Sequence, residues 1–354
     1  MKKPSQKSQN KLLWSVLFVL IAAATIWAVL SQSNSFSLHS FVSYVSGASK
    51  PWLAMALLSM LGFILFEGEA LVAICRAFGY PITRGRALGY SAADIYVSAI
   101  TPSASGGQPM CAYFMIKDGI PGMVATVALL ANLSMYAISI LVLGLIMLLV
   151  RPEVFLSFSP LSQILVVAGY LVQSVLAAFF VMLLLKGDFL HKICRKALHL
   201  LCKIRLLKHE EEKQRSLDQK MEEYAANARM MKEHKRAMSK AFLFNMLQRT
   251  SVISVPFFLY LAFGGESAKA LDIWAVQCYT VVGSNAVPIP GAMGASDYIM
   301  LDGFSKVIPG QNAVNFELLS RSLSFYVYVA ICGITVLIKY LHQRKREREN
   351  DRLL

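Results

Sequence analysis

The 354-residue sequence predicts an all-α polytopic membrane protein, built as an inverted-topology repeat. Each half is predicted to contain three spanning helices and one re-entrant hairpin broken by Pro and Gly. Hydrophobic residues make up 56% of the chain and charged residues 16%, against about 25% charged residues in a soluble domain. Six apolar runs are long enough to cross a bilayer. The basic residues also separate by side, which leaves two further apolar segments unable to cross.

The composition excludes several classes of protein. Few charges exclude an ordinary soluble enzyme and a disordered chain, and scattered cysteines exclude a disulfide-rich module. The net charge of +14 could indicate nucleic acid, but no binding motif or interleaved aromatic residues accompany it, so nucleic acid is not expected as a partner. No cofactor and no metal are expected, because ligands from a single helix rarely close a tetrahedral site. The nearest approach to such a spacing is His191, Cys194, His199 and Cys202.

The apolar runs define the predicted spans in order. Leu12 to Leu30 is uncharged. It exceeds the apolar region of a signal peptide, about 7–15 residues, and no small-x-small cleavage site follows, so we interpret it as the first spanning helix. The later runs are close to the ~20 residues that a helix needs to cross. They lie at 52–75, 122–150, 161–185, 241–263 and 316–340.

Positive charge predicts the orientation of these spans. Of the 35 Lys and Arg residues, 29 fall on one side, and fifteen of these lie between Lys186 and Lys240. That side is predicted to be cytoplasmic. The N-terminus 1–11 and the basic tail 341–354 are therefore both expected in the cytoplasm, in a multi-pass protein of the cell membrane.

Two apolar segments, 87–117 and 273–315, each begin and end on one side. About 30 residues with a Pro/Gly-rich middle are short for two crossings, so we predict that both dip into the membrane and return. Polar trios on one helical face precede the two central prolines at identical spacing, which supports a repeat. The trios are Ser91, Asp94, Ser98 and Gln277, Thr280, Ser284. The resulting units are the first half 12–150, the outer loop and next span 151–185, the cytoplasmic insertion 186–240, and the remaining second half 241–340.

Each re-entrant segment carries a motif that must interrupt a helix. We name TPSASGGQP (Thr101–Pro109) the first breaker and VPIPGAMGASD (Val287–Asp297) the second breaker. Proline cannot donate a backbone hydrogen bond, and glycine permits conformations closed to other residues. Free amides and helix ends at membrane depth favour an anionic group such as a lipid phosphate, although each motif alone could be a simple turn. The predicted substrate-binding residues are Thr101, Pro102, Ser103, Ser105, Gly106, Gly107, Gln108, Pro288, Pro290, Gly291 and Gly294.

Ionisable residues within the spans form a predicted polar path. A charge at the bilayer centre costs at least about 2.5 kcal/mol, so each should face a cavity or a partner. Glu67 and Glu69 lie on nearly opposite helix faces, so one of them is expected to face the centre. Glu317 and Arg321 could instead form a local i,i+4 ion pair. Arg249 has no acid at i±4 and needs an acid of another helix, a lipid phosphate or the cytoplasmic surface. The path is Glu67, Glu69, Asp94, Arg249, Asp297, Glu317 and Arg321.

The insertion 186–240 has two parts. Basic and apolar residues separate onto two faces over 190–204, which predicts an amphipathic helix on an anionic leaflet. From Glu210 to Lys240 the charges are mixed and apolar anchors are few, so we expect a solvated arm or a docking site for a separate cytoplasmic synthase or other protein.

Enzyme signatures do not occur. The sequence has no nucleotide-binding Gly loop in a strand–helix setting, no HExxH and no nucleophile elbow, so no catalytic residue is predicted. The tail after the last span is short for a catalytic fold, and we expect no enzyme activity from this chain by itself.

The two breakers resemble those of the lysylphosphatidylglycerol synthase transmembrane family, the membrane portion of the multiple peptide resistance factor (phosphatidylglycerol lysyltransferase). That family has Thr-Pro…Gly-Gly-x-Pro in its first half and Pro-x-x-Pro-Gly-Gly-x-Gly-x-x-Glu in its second. The second breaker departs from this pattern at Ala292, where Gly is usual, and at Asp297, where Glu is usual. The order of spans is similar over 12–340. Matching positions are Thr101, Pro102, Gly106, Gly107, Pro288, Pro290, Gly291 and Gly294.

The resemblance implies a domain that moves a phospholipid, such as an aminoacylated phosphatidylglycerol, between leaflets. Full-length members also carry a cytoplasmic domain that transfers lysine from lysyl-tRNA to phosphatidylglycerol, which we do not expect here. Three hypotheses follow: a flippase for an anionic or aminoacylated phospholipid or another lipid-linked substrate, a membrane component of a lysyltransferase with a separate catalytic partner, and an ion-coupled small-solute transporter. Formation of a homo-oligomer is left open.

Overall fold

The computed structural model describes residues 46–101, 104–203, 210–285, 287–308 and 310–353, and this part of the chain is helical without strands. The N-terminus 1–11 and the predicted first span 12–30 lie outside the described residues, as do Pro102 and Ser103. Five described helices are long and apolar enough to cross a membrane, which confirms five of the six predicted spans. They are Lys50–Ala77, Gly122–Val150, Pro160–Leu185, Lys235–Ala262 and Asn312–Arg344.

We number the described helices in chain order. They are α1 (Lys50–Ala77), α2 (Arg84–Ile100), α3 (Gly107–Lys117), α4 (Gly122–Val150), α5 (Pro152–Ser157), α6 (Pro160–Leu185), α7 (Gly187–Lys203), α8 (Glu210–Glu233), α9 (Lys235–Ala262), α10 (Ser267–Ser284), α11 (Ala295–Val307), α12 (Gln311–Arg321) and α13 (Tyr328–Leu353). A 3₁₀ turn at Pro290–Ala292 precedes α11, and a π-helical turn at Ser322–Val327 joins α12 to α13.

Local sequence explains where several helices begin. Pro51 and Pro160 stand in the first turns of α1 and α6, where an N–H would have no intrahelical acceptor. The Thr83 hydroxyl accepts a hydrogen bond from the Arg86 N–H and caps α2. Pro256 lies inside α9, where it is buried by neighbouring helices. Such a helix-breaking residue is tolerated in a spanning helix when the bundle covers it.

The helices pack in the same order in the two halves. In the first half α1 packs on α2 and α2 on α3, and in the second α9 packs on α10 and α10 on α11. Helices α1 and α9 form the most extensive contact among the described helices, so they join the halves at the centre. Helix α4 packs on α6, and α13 on α2. This order is the one that an inverted repeat requires, while the repeat itself remains a prediction.

Both breakers interrupt a helix and fold it back. Helix α2 ends at Ile100 and α3 begins at Gly107, and the two helices pack against each other. In the second half α10 ends at Ser284 and α11 begins at Ala295. Two non-glycine residues in the breakers, Ala104 with φ 52° and Ala292 with φ 51°, adopt the left-handed conformation. Strained backbone of this kind is kept where the surrounding structure holds it in place.

Helix α8 is docked on the bundle, which corrects our expectation of a solvated arm with few anchors. It packs on α7 and on α4, and the Tyr224 hydroxyl donates to the Leu183 carbonyl at 3.0 Å. The helical spacing brings its apolar side chains to one face, a pattern that the mixed charges between them concealed. The anchors are Met221, Tyr224, Ala228 and Met231, all buried.

The loop after the first hairpin is tied to the last helix. Asp118 accepts hydrogen bonds from the Tyr90 hydroxyl at 2.7 Å, from Lys339 Nζ at 3.0 Å and from Gln343 Nε2 at 3.0 Å. Burial would raise the pKa of Asp118, but these hydrogen bonds and the Lys339 charge lower it below its ordinary value. The ionised carboxylate therefore joins the first hairpin to α13.

Candidate functional site

A cavity of about 550 Å³ lies between the two halves of the bundle. Both breakers reach it, the first through Ser105 and Gln108 and the second through Gly291. Helices of both halves supply charged side chains, including Asp94 from α2 and Arg249 from α9. The lining mixes such polar groups with aromatic and aliphatic side chains. A cavity of this composition can hold a ligand with a charged head and an apolar body.

The first breaker is organised around Asp94. Its Oδ2 accepts a hydrogen bond from Gln108 Nε2 at 2.7 Å, and its Oδ1 accepts one from the Ser98 hydroxyl at 3.3 Å. Gly107 packs directly on this group, since a Cβ there would lie 2.1 Å from both Asp94 Oδ1 and Ser98 Oγ. The Thr101 hydroxyl accepts from the Gly106 N–H at 3.0 Å and donates to the Val97 carbonyl at 2.7 Å. Thr101 and the two glycines thus hold the break in place behind the cavity wall.

Glu67 lies beside Asp94 on the cavity wall. Its Oε2 accepts from the Ser91 hydroxyl at 3.2 Å and from Gln248 Nε2 at 3.0 Å. The carboxyl groups of Glu67 and Asp94 are within hydrogen-bonding reach of each other. Glu69 points elsewhere and forms an ion pair with the exposed Arg84. Glu67 is therefore the acid of this pair of residues that faces the centre.

Arg249 is buried in the cavity between two aromatic rings. Its guanidinium carbon lies 4.1 Å from the centroid of the Tyr136 ring and 4.8 Å from that of Phe63. Among the described residues it forms no ion pair with a carboxylate, and its buried Nε has no hydrogen-bond partner. Stacking supports the flat faces of the guanidinium and leaves its edge of N–H donors directed outward. This edge can bind an anion.

Arg321 holds the second breaker. Its Nη2 donates to the Gly291 carbonyl at 2.6 Å, and its Nε lies 3.1 Å from Asp297 Oδ1. Asp297 Oδ2 in turn accepts from the Gly294 N–H at 2.9 Å, at the start of α11. Gly291 has φ +60°, and the Phe325 ring lies where its Cβ would be. The position therefore requires glycine.

The i,i+4 alternative for Arg321 is wrong in this structure, because the arginine pairs with Asp297 instead of Glu317. The second breaker brings Asp297 to the guanidinium from another segment of the chain, a contact that helical spacing cannot reveal. Glu317 remains buried, and its Oε1 has no hydrogen-bond partner in the described part of the chain.

The predicted site residues separate into three groups. Those that line the cavity are Glu67, Asp94, Ser105, Gln108, Arg249, Gly291 and Arg321. Those that lie behind or beside its wall are Glu69, Thr101, Gly106, Gly107, Pro288, Pro290, Gly294, Asp297 and Glu317. Pro102 and Ser103 fall outside the described residues.

Neutral amides are the part of the cavity that sequence reasoning missed. Asn132 and Gln173 line it from α4 and α6, and Gln248 supports Glu67 from behind. Gln108 and Gln277 each keep a buried side-chain oxygen without a donor in the described structure. A signal was available, because Asn132 and Gln173 stand within two of the most apolar runs. A buried amide needs partners, as a buried charge does.

Known proteins were compared with the whole chain. The comparisons with curated proteins and with solved structures gave no significant match. A family model described as the lysylphosphatidylglycerol synthase TM region matches residues 12–332. This match spans most of the 354 residues and includes both breakers and the cavity. The resemblance at the breakers is thereby confirmed, and the chain belongs to the lysylphosphatidylglycerol synthase TM region family.

Proposed function

We propose that this membrane protein moves an anionic or aminoacylated phospholipid, or another lipid-linked substrate, between the two leaflets. The observation that carries the proposal is Arg249, a buried guanidinium in the cavity that is stacked on two rings and has no carboxylate partner. A charged group in this position is costly unless an anion approaches it. A phosphodiester has the charge and the acceptor geometry that a guanidinium edge binds.

The surroundings of Arg249 suit a lipid headgroup. The two breakers reach the cavity from opposite halves of the bundle, and amides such as Asn132 and Gln173 offer hydrogen bonds to polar headgroup atoms. Aromatic and aliphatic side chains complete the lining and can contact the glycerol and upper acyl atoms. Access to such a site from each leaflet in turn is how inverted-repeat transporters work. We place both termini in the cytoplasm, in the cell membrane, on the charge distribution alone.

Leaflet exchange in proteoliposomes tests this proposal. Protein is reconstituted with trace acyl-labelled fluorescent phosphatidylglycerol or phosphatidylcholine, and a membrane-impermeant quencher reports the outer-leaflet fraction over time. We expect the wild-type chain to accelerate exchange of the anionic lipid. Arg249→Gln should slow it about tenfold or more, because one charge-assisted contact is lost.

The matched control is Lys306→Gln, which removes an exposed cation that pairs with Asp302 outside the cavity. This variant should exchange lipid at the wild-type rate. Equal rates for wild type, Arg249→Gln and protein-free vesicles with phosphatidylglycerol, aminoacylated phosphatidylglycerol and a polyprenyl phosphate would contradict the proposal.

A second candidate function is ion-coupled transport of a small solute. It is favoured by the two carboxyl groups of Glu67 and Asp94 on the cavity wall. Uptake of a soluble substrate that stops in Glu67→Gln or Asp94→Asn, together with unchanged lipid exchange, would favour this function over lipid movement.

A third candidate is the membrane component of a phosphatidylglycerol lysyltransferase whose catalytic partner is a separate protein. Helix α7 favours it, because Lys192, Arg195 and Lys196 are exposed beside the docked helix α8. Co-purification of an aminoacyl-lipid synthase, lost when these three residues are replaced by Gln, would support that role. Lysyl-lipid formed in cells that express this chain without such a partner would oppose it.

A further inference from the structure

Glu67 and Asp94 form a carboxyl pair between two helices. Glu67 projects from α1 and Asp94 from α2, both line the cavity, and only 4% and 9% of their residue surfaces are exposed. The two groups interact directly, and each also accepts hydrogen bonds from neutral donors. Two carboxyl groups at this separation can hold one proton between them, because like charges at close range are unfavourable.

The groups that face this pair are few. Arg249 from α9 is the cation whose charge acts on both carboxyl groups. The other titratable neighbours are the buried thiols of Cys111 on α3 and Cys332 on α13. The remaining donors are the neutral side chains of Ser91, Ser98, Gln108 and Gln248. Arg249 therefore provides the positive charge that the pair and an incoming anion must share.

We propose that binding of an anionic headgroup at Arg249 is coupled to the uptake of one proton by the Glu67–Asp94 pair. This inference rests on the proposed function, in which Arg249 binds the phosphate. The anion adds one negative charge and satisfies the guanidinium, so the carboxyl pair loses part of the attraction that kept it ionised. One proton from solution, bound on the carboxyl oxygens, restores the net charge of the group whatever its starting state. Buried groups resist a change in net charge because the surrounding dielectric constant is low.

Coupling of this kind links lipid movement to the proton gradient. A headgroup and a proton that enter the cavity together must also leave together, since release of the anion restores the attraction of Arg249 for the pair. By linkage, each ligand strengthens binding of the other by the same factor. Anion affinity should therefore fall as pH rises, by up to about tenfold per pH unit where one proton is taken up.

Calorimetry of the purified full chain in neutral detergent tests the coupling. The probe is dihexanoyl phosphatidylglycerol, a soluble lipid whose phosphodiester stays ionised near neutral pH. Titrations in two buffers with different ionisation enthalpies give the number of protons taken up for each lipid bound. A second arm uses dimethyl phosphate, the same anion without acyl chains, to distinguish a lipid headgroup from a free anion as the source.

We expect uptake of up to one proton per bound lipid by the wild type. Glu67→Gln and Asp94→Asn should each reduce the uptake and make lipid binding tighter and less dependent on pH, because less negative charge then competes for Arg249. Glu69→Gln is the matched control on the same helix, and it should keep the wild-type proton uptake, since Glu69 pairs with Arg84.

The outcomes separate the two proposals. Lipid binding without proton uptake, or uptake that survives in both Glu67→Gln and Asp94→Asn, overturns the coupling and leaves the proposed function standing. Absence of binding by either probe, to wild type and Arg249→Gln alike, overturns both. Uptake with the lipid that is much weaker with dimethyl phosphate supports the coupling and identifies a lipid as the ligand. Equal uptake with both probes supports the coupling with a soluble anion as the ligand.

Discussion

The two breakers interrupt their helices in the same way but are held by groups of opposite charge. At the first breaker an acid, Asp94, accepts hydrogen bonds from Gln108 and Ser98. At the second a cation, Arg321, donates to the Gly291 carbonyl. The reason is chemical, because the first break presents donors at the start of a helix and the second presents a carbonyl in a 3₁₀ turn. The cavity thus has an acidic wall in one half and a basic contact in the other.

The largest expected effect comes from filling the space behind the first breaker. In Gly107→Ala the new Cβ would meet Asp94 and Ser98 at 2.1 Å and the Asp94 carbonyl at 2.5 Å. The break must then move, and we expect a loss of about 3 kcal/mol in the free energy of unfolding, with loss of the Asp94–Gln108 contact. Thermal unfolding in detergent measures this loss. Gly122→Ala is the control, because its nearest neighbour is Ile116 at 3.6 Å. A Gly107→Ala variant as stable as Gly122→Ala would show that the first breaker is not tightly packed.

The second breaker is tested by removing its cation. Arg321→Gln loses the donor to Gly291 and the ion pair with Asp297, which is partly exposed. We expect about 2 kcal/mol of destabilisation, because the contact is charge-assisted but open to solvent on one side. Arg321→Lys should recover part of it. Proteolysis or hydrogen exchange of residues 287–297 locates the effect. Protection there that is unchanged in Arg321→Gln would mean that the two breakers are stabilised by different kinds of contact.

The smallest effect is expected at the cytoplasmic end of the first hairpin. Asp118→Asn should destabilise the chain by about 1 kcal/mol at pH 7, since the charged contact with Lys339 is weakened. The folded state lowers the pKa of Asp118, so its contribution is complete above the unfolded value of about 3.9 and is lost as pH falls through the folded-state pKa. The difference between wild type and Asp118→Asn in thermal unfolding should therefore shrink below about pH 4. A difference that persists at pH 3 would assign it to packing.

Sequence reasoning predicted the spans and breakers well, because both depend on local properties. Apolar run length identifies a spanning helix, and Pro and Gly identify a break wherever the chain is surrounded by lipid. Partner choice was predicted poorly. Glu317 and Arg321 have ideal helical spacing, yet Arg321 pairs with Asp297 from the second breaker. The anchors of α8 were missed for a similar reason, because charged residues separate them along the chain.

The sequence by itself determined the membrane class, the predicted spans and the two breakers, because bilayer thickness and backbone hydrogen bonding act on each segment separately. Only the tertiary structure decided which charges meet. It placed Glu67 beside Asp94, left Arg249 between two aromatic rings, and put Arg321 against the second breaker. Such pairings depend on distances between helices far apart in the chain, and no periodicity in a sequence encodes those distances.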